Sequence, residues 1–145
     1  MACRARKERA IVRFVPRRYA LLDDNQRVLE ARLIELARRL PGLVGSRVCA
    51  AGVIGSVAEG CARDQSDLDL VLVLREGEPR RSDYEWWEVE VAPALGTQRR
   101  FPAAPVFIAR TSLATVEPNL RHALDRGIPL WDPEGRFRDE SKARP

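Results

Sequence analysis

Residues 67–74 read Asp-Leu-Asp-Leu-Val-Leu-Val-Leu. Two acids open the segment, and nearly continuous apolar character follows. That pattern describes a β-strand buried on both faces beyond its first few residues. A second apolar run of strand length, 47–54 (RVCAAGVI), precedes it, and PVFIAR at 105–110 and IPLWD at 128–132 supply two more. IVRFV at 11–15 reads as a further short strand, stopped by Pro16.

Helices alternate with these strands. Asp23 or Asp24 can cap a helix over 23–40, with Val28, Leu29, Leu33, Leu36 and Leu40 at spacings of three and four, and Pro41-Gly42 ends it. Leu113 to Arg126 reads as another helix, stopped by Gly127. REGEPRR at 75–81 is a turn. Residues 83–95 fit two patterns. Trp87, Val89 and Val91 alternate with Glu88 and Glu90 as in a strand, whereas Tyr84, Trp87, Val91 and Leu95 have helical spacing that Pro93 interrupts. The class is α/β, a small mixed sheet flanked by helices.

A chain of 145 residues with 45% hydrophobic and 32% charged residues has enough apolar material for one packed domain and too little length for two. No apolar run reaches the ~18 residues of a membrane span, and no secretory leader follows the basic N-terminus, so a cytoplasmic protein is expected. Residues 1–18 carry seven cations against Glu8, a balance of +6; with +4 overall, the remainder is about −2. This leader (1–18) is a solvated arm or a contact for nucleic acid. The domain proper is expected over 19–137, with a polar tail at 138–145. Three scattered cysteines suggest neither a disulfide framework nor a zinc site, and a single histidine, His122, argues against a histidine-based metal centre or a Ser/His/Asp triad.

The chemistry concentrates in Gly55 to Asp69, GSVAEGCARDQSDLD. Side chains at i and i+2 of a strand share a face, about 6–7 Å apart. Asp67 and Asp69 therefore point the same way, while Leu68 points into the core. Two adjacent carboxylates repel unless a cation lies between them, and a hard, oxygen-ligated ion such as Mg²⁺ resolves that conflict. Mg²⁺ usually takes one or two carboxylates plus water and substrate phosphates, so a nucleoside triphosphate is the expected ligand. Gly55-Ser56, after a strand, offers backbone N–H groups and a hydroxyl to an anion, and Gly60 permits the return towards Asp67. No Walker-type phosphate loop is present.

Gly55, Ser56, Ala58, Gly60, Ser66, Asp67 and Asp69 together resemble the signature of the DNA polymerase beta-like nucleotidyltransferase superfamily, and its minimal (MNT-type) members in particular. Gly127 to Asp132 resembles the strand near the end of those minimal members. The resemblance implies a nucleotidyltransferase fold in which Gly55 and Ser56 hold the triphosphate, Ser66 orients the carboxylate loop, and Asp67 and Asp69 bind Mg²⁺. It implies transfer of a nucleoside monophosphate, most often AMP, from ATP or another NTP. Minimal members commonly act as the antitoxin half of a toxin–antitoxin pair, with a small helical HEPN-type partner as acceptor. The short stretch after the motif fits that group.

Two positions depart from the pattern. Active members take a third carboxylate from a later strand, and PVFIAR has none. If 86–92 is an edge strand, Glu90 or Glu88 would supply it; if it is a helix, both are solvated. Glu59 stands where many members carry a basic residue. Arg63 is either a phosphate contact or an exposed loop cation, and Cys61 a small residue in a tight loop.

Overall fold

A computed structural model describes residues 23–96 and 100–137. The expected strand at 11–15, the basic leader and the tail at 138–145 lie outside the described residues. In chain order the elements are α1 (Asp23–Val44), β1 (Val48–Ile54), a single turn α2 (Ser56–Glu59), β2 (Leu68–Leu74), α3 (Arg81–Trp86), a wide π turn (Trp87–Val91), α4 (Ala92–Leu95), β3 (Ala103–Ala109), a 3₁₀ turn (Arg110–Thr115), α5 (Pro118–Asp125) and β4 (Ile128–Trp131). The strands form one sheet in the order β3-β2-β1-β4. β1 runs antiparallel to both β2 and β4, and β2 runs parallel to β3. The sheet is therefore mixed and the class α/β. None of the described helices is long and apolar enough to cross a membrane.

β2 occupies an interior position in the sheet, and after Asp69 every one of its residues is buried. Leu68, Leu70, Leu72 and Leu74 pack with Leu29, Leu33, Leu36, Leu40 and Val44 of α1 and with Trp87, Val91 and Leu95 of the α3–α4 segment. Val71 and Val73 face the other way, onto Ile108, Leu113 and Leu124. A bulge in β1 at Cys49 places Cys49 and Ala50 together on that second face. Each fully buried leucine contributes roughly 1.5–3 kcal/mol, against about 0.3–0.5 kcal/mol for an exposed i,i+4 ion pair. Hence α1 is held by its leucine stripe and not by Arg39–Glu35 (3.1 Å) on its outer side.

Several boundaries differ from the sequence expectation, each for a local reason. Pro41-Gly42 does not end α1, which runs on to Val44. Leu36, Leu40 and Val44 continue one stripe at four-residue spacing, all fully buried, and that burial outweighs the hydrogen bond Pro41 cannot donate. The turn comes at Gly45, whose N–H donates to the Pro41 carbonyl (3.1 Å). Residues 83–95 are helical throughout, so the strand reading of that segment is overturned. Pro93 has no N–H to give Val89, and the chain answers just before it with the π turn, where Ala92 N–H reaches back five residues to Trp87. The single helix expected over 113–126 is two pieces. Val116 is extended (φ −60°, ψ 150°) and ends the 3₁₀ turn; Glu117, just ahead of Pro118, is held extended as well (φ −61°, ψ 155°), and α5 restarts at the proline. Glu117 then caps α5, its carboxylate accepting from Leu120 N–H at 3.1 Å.

β3 begins at Ala103, two residues earlier than expected, and β4 ends at Trp131. Asp132, expected within the last strand, instead accepts N–H bonds from Arg136 (2.7 Å) and Phe137 (3.2 Å). That turn lays the Phe137 ring over β1 at Gly52, where a Cβ would lie only 3.4 Å from it.

Candidate metal and nucleotide site

The site lies where β1 ends and β2 begins. Antiparallel pairing sets Ile54 opposite Asp69, so Gly55, the next residue, arrives beside the Asp69 side chain. Gly55 adopts φ 78°, ψ −152°, a conformation closed to side chains other than glycine's. A Cβ there would lie 2.5 Å from Asp69 Oδ2. The carboxylate and the Gly55 backbone thus occupy adjoining space, with room for no additional carbon.

Leu68 is fully buried and fixes the head of β2, its N–H donating to the Pro102 carbonyl at 2.9 Å. The residues on either side of it face away from the core: Asp67 is exposed and Asp69 is half-buried. Burial, and secondarily the charge on Asp67, pushes the Asp69 carboxyl above its ordinary range. The charge on Asp67, one of the two acids expected to share a face, thus opposes ionisation of Asp69.

Two tight turns present these groups. In α2, Glu59 N–H donates to Gly55 O (3.0 Å) and Cys61 N–H to Ser56 O (2.9 Å), while Val57 and Ala58 anchor the turn in the core. Ser56 opens the turn, half-buried, next to Gly55. Further on, the Ser66 hydroxyl accepts from Arg63 N–H (2.8 Å) and Ser66 N–H donates back to Arg63 O (2.9 Å). This reciprocal pair closes the loop one residue before Asp67. Arg63 itself is exposed, as is Cys61.

Asn25, on α1, was not singled out from the sequence. It is buried, donates to Asp64 (2.7 Å) and accepts from Arg100. One amide thus ties α1 to the carboxylate loop and to the segment entering β3. The available signal was its spacing: Asn25 lies four residues before Leu29, a polar residue in line with the core stripe.

Glu59, the acid where a base is common, pairs with Arg126 at the end of α5 (3.4 Å). Both are well exposed, so the pair contributes little to stability, but it offsets one negative charge near the Gly55-Ser56 turn. Glu88 and Glu90 are exposed and lie on the π turn, not on an edge strand. The strand position in register with Asp69 on its parallel neighbour is Ala104. Among the described residues no three His, Cys, Asp or Glu side chains come together as a metal cage. The arrangement therefore offers two coupled carboxylates, a backbone turn packed against one of them, and nearby small side chains.

Comparison with models of known families and with curated protein sequences found no match to this chain.

Proposed function

We propose that the chain is a nucleotidyltransferase-fold protein using Asp67 and Asp69 to hold Mg²⁺ against the triphosphate of a bound NTP. The observation that carries this reading is the contact between the Gly55 backbone and the Asp69 carboxylate. It joins the two halves of the sequence motif, phosphate turn and acid pair, at one point of the sheet. The donor set suits a hard divalent cation: two carboxylates, both oxygen ligands, one exposed and one half-buried, with the charge on Asp67 opposing ionisation of Asp69. A bound Mg²⁺ supplies charge neutralisation of the acids and polarisation of the phosphate oxygens.

The chain's own contributions follow from the geometry. Gly55, without a side chain, lets the Asp69 carboxylate lie against the turn that would hold the phosphates, and Ser56 offers its hydroxyl beside it. Asp69 is held by β2 pairing on both sides, which fixes the backbone that carries its carboxylate. Asp67, exposed just ahead of β2, would be the metal ligand nearer solvent. Ser66 and Asn25 keep the loop bearing Asp67 closed. Positioning of this kind, with preset charge, accounts for most of the catalysis in phosphoryl and nucleotidyl transfer.

The group moved is a nucleoside monophosphate, AMP in the first instance, and the acceptor we assign is a small helical HEPN-type protein, which makes the chain the antitoxin half of such a pair. The free thiols Cys49 and Cys61 and the demand for ATP fit the cytoplasm. Incubation of the protein with Mg²⁺, α-labelled ATP and cell lysate tests the reaction. Label should transfer to a protein band, with release of pyrophosphate, and both should vanish in Asp67→Ala/Asp69→Ala.

A second reading rests on Ala104. With alanine beside Asp69 where a third carboxylate would activate the acceptor, the chain would bind Mg²⁺ and ATP without turnover and act through a partner. ATP binding by the wild type with neither label transfer nor pyrophosphate release selects it.

A further inference from the structure

A cation from outside the sequence motif reaches the Gly55-Ser56 turn. Ile128, the first residue of β4, pairs with Val53, and the antiparallel register continued by two residues sets Arg126 across from Gly55. The chain passes close there: a Cβ on Gly127 would lie 2.9 Å from the Val53 carbonyl oxygen and 3.3 Å from Ile54 Cγ2. On its other side Ile54 is the register partner of Asp69. Asp69, Ile54 and Gly127 thus form one row across the sheet, two strand spacings or about 10 Å from end to end. They also lie towards one face. Asp69 alternates with Leu68 and Leu70 and so projects on the side of Val71 and Val73. Leu124 of α5 packs on that same side, and Arg126 caps α5 two residues later.

The Arg126 side chain is directed at the turn. Its Nη1 donates to Glu59 Oε1 at 3.4 Å. Glu59 and Ser56 are three residues apart in α2, hence on one face of that turn with Cβ atoms roughly 5–6 Å apart. The guanidinium is thereby held on the Ser56 side. It is 58% exposed, and its other side-chain donors have no partner among the described residues. Such an exposed pair contributes little to stability; what it does is place an open guanidinium fork beside the turn.

Resting on the nucleotide-binding reading above, we propose that Arg126 is the cation that contacts the triphosphate, tethered by Glu59 while the site is empty. The acids at the head of β2 serve the reacting α-phosphorus. Gly55 lies between them and Arg126, so the partners of Arg126 are the β- and γ-phosphates, the part that leaves as pyrophosphate. A triphosphate carries more negative charge than one Mg²⁺ removes, and a guanidinium fork matches phosphate oxygens in bidentate geometry. Being exposed, this arginine meets the phosphates at a small desolvation cost.

The test is calorimetric titration of Mg²⁺-ATP into the full chain, for the wild type, Arg126→Ala, Glu59→Gln and Asp67→Asn/Asp69→Asn. Arg126→Ala should weaken ATP by about tenfold, as loss of a charge-assisted hydrogen bond requires, with Tm changed by no more than a few degrees. Glu59→Gln should leave ATP affinity equal or tighter, because it removes an acid and keeps the cation. Inorganic tripolyphosphate, which has no base, should compete with ATP in the wild type and be weakened by the same factor in Arg126→Ala. ATP binding that Asp67→Asn/Asp69→Asn removes and Arg126→Ala leaves unaltered would overturn this assignment while the nucleotide site stands. Equal losses in Glu59→Gln and Arg126→Ala would mark a merely structural pair, and tripolyphosphate binding indifferent to Arg126 would mark a contact to the base; either overturns it. A wild type that binds no ATP would remove the nucleotide site and this assignment together.

Discussion

Replacing Gly55 by alanine tests the geometry of the site most sharply. At φ 78°, ψ −152° an L-residue is strained by roughly 1–3 kcal/mol, since this region is essentially reserved for glycine. The new Cβ would also stand 2.5 Å from Asp69 Oδ2, so either the carboxylate or the end of β1 must shift, adding on the order of 1 kcal/mol. Together Gly55→Ala should cost about 2–4 kcal/mol, or a fall in Tm of roughly 8–16 °C for a domain of this size. Urea denaturation followed by circular dichroism measures it, with an unchanged m-value confirming that the effect lies in stability. The two contributions separate in a double-mutant cycle. In an Asp69→Ala background the contact is gone and only the backbone strain remains, so the same substitution should cost about 1 kcal/mol less. A cost below roughly 0.5 kcal/mol, or an equal cost in both backgrounds, would refute the packing of Gly55 against Asp69.

Asp69→Asn should raise Tm at neutral pH in the presence of a chelator while removing function. The folded carboxyl titrates above its ordinary 3.8, so the native state keeps a proton that the unfolded chain has already lost. Stability therefore falls as pH rises through the interval above 3.8, and the penalty persists at pH 7. The advantage of the variant should close as pH drops below that interval; an advantage independent of pH would point to a cause other than charge. Asn25→Ala removes the donor to Asp64 and the acceptor for Arg100 at once and should cost about 1–2 kcal/mol in urea unfolding, since both partners retain some access to water. No loss of stability would mean that the loop bearing Asp67 is held by Ser66 alone.

The parts of this fold that the sequence discloses are those where one physical effect dominates. DLDLVLVL can only be a buried strand with an acidic head, and the α1 leucines can only be a core stripe. What escaped depends on competition between effects. Pro41-Gly42 is a helix stop by local preference, but Val44 continues the stripe and burial wins. Pro93 leaves 83–95 undecided between strand and helix until Trp87, Val91 and Leu95 are buried together, and the π turn is the resulting compromise. Ahead of Pro118 the backbone is extended at Val116 and Glu117, and this splits a segment of otherwise helical spacing. At the site, the acids, Gly55-Ser56 and Ser66 are visible in the chain because their spacing is local. The Gly55–Asp69 contact depends on the β1–β2 register, and the alanine beside Asp69 on the β2–β3 register; no local pattern carries either. Asn25 and Arg32 look like ordinary polar positions of an amphipathic helix. Both fall on the stripe that starts at Leu29, four residues before it and three after, and only packing reveals that each is buried.

The most direct test of the account is whether the head of β2 binds a divalent cation together with a triphosphate. Mn²⁺, standing in for Mg²⁺, can be titrated into the protein with ATP while the free-ion signal is followed by electron paramagnetic resonance, for the wild type and for Asp67→Asn/Asp69→Asn. The account predicts protein-dependent loss of the free Mn²⁺ signal that the double variant weakens by at least about tenfold, a difference of ~1.4 kcal/mol or more. Equal Mn²⁺ binding by the two proteins, both folded, would contradict it.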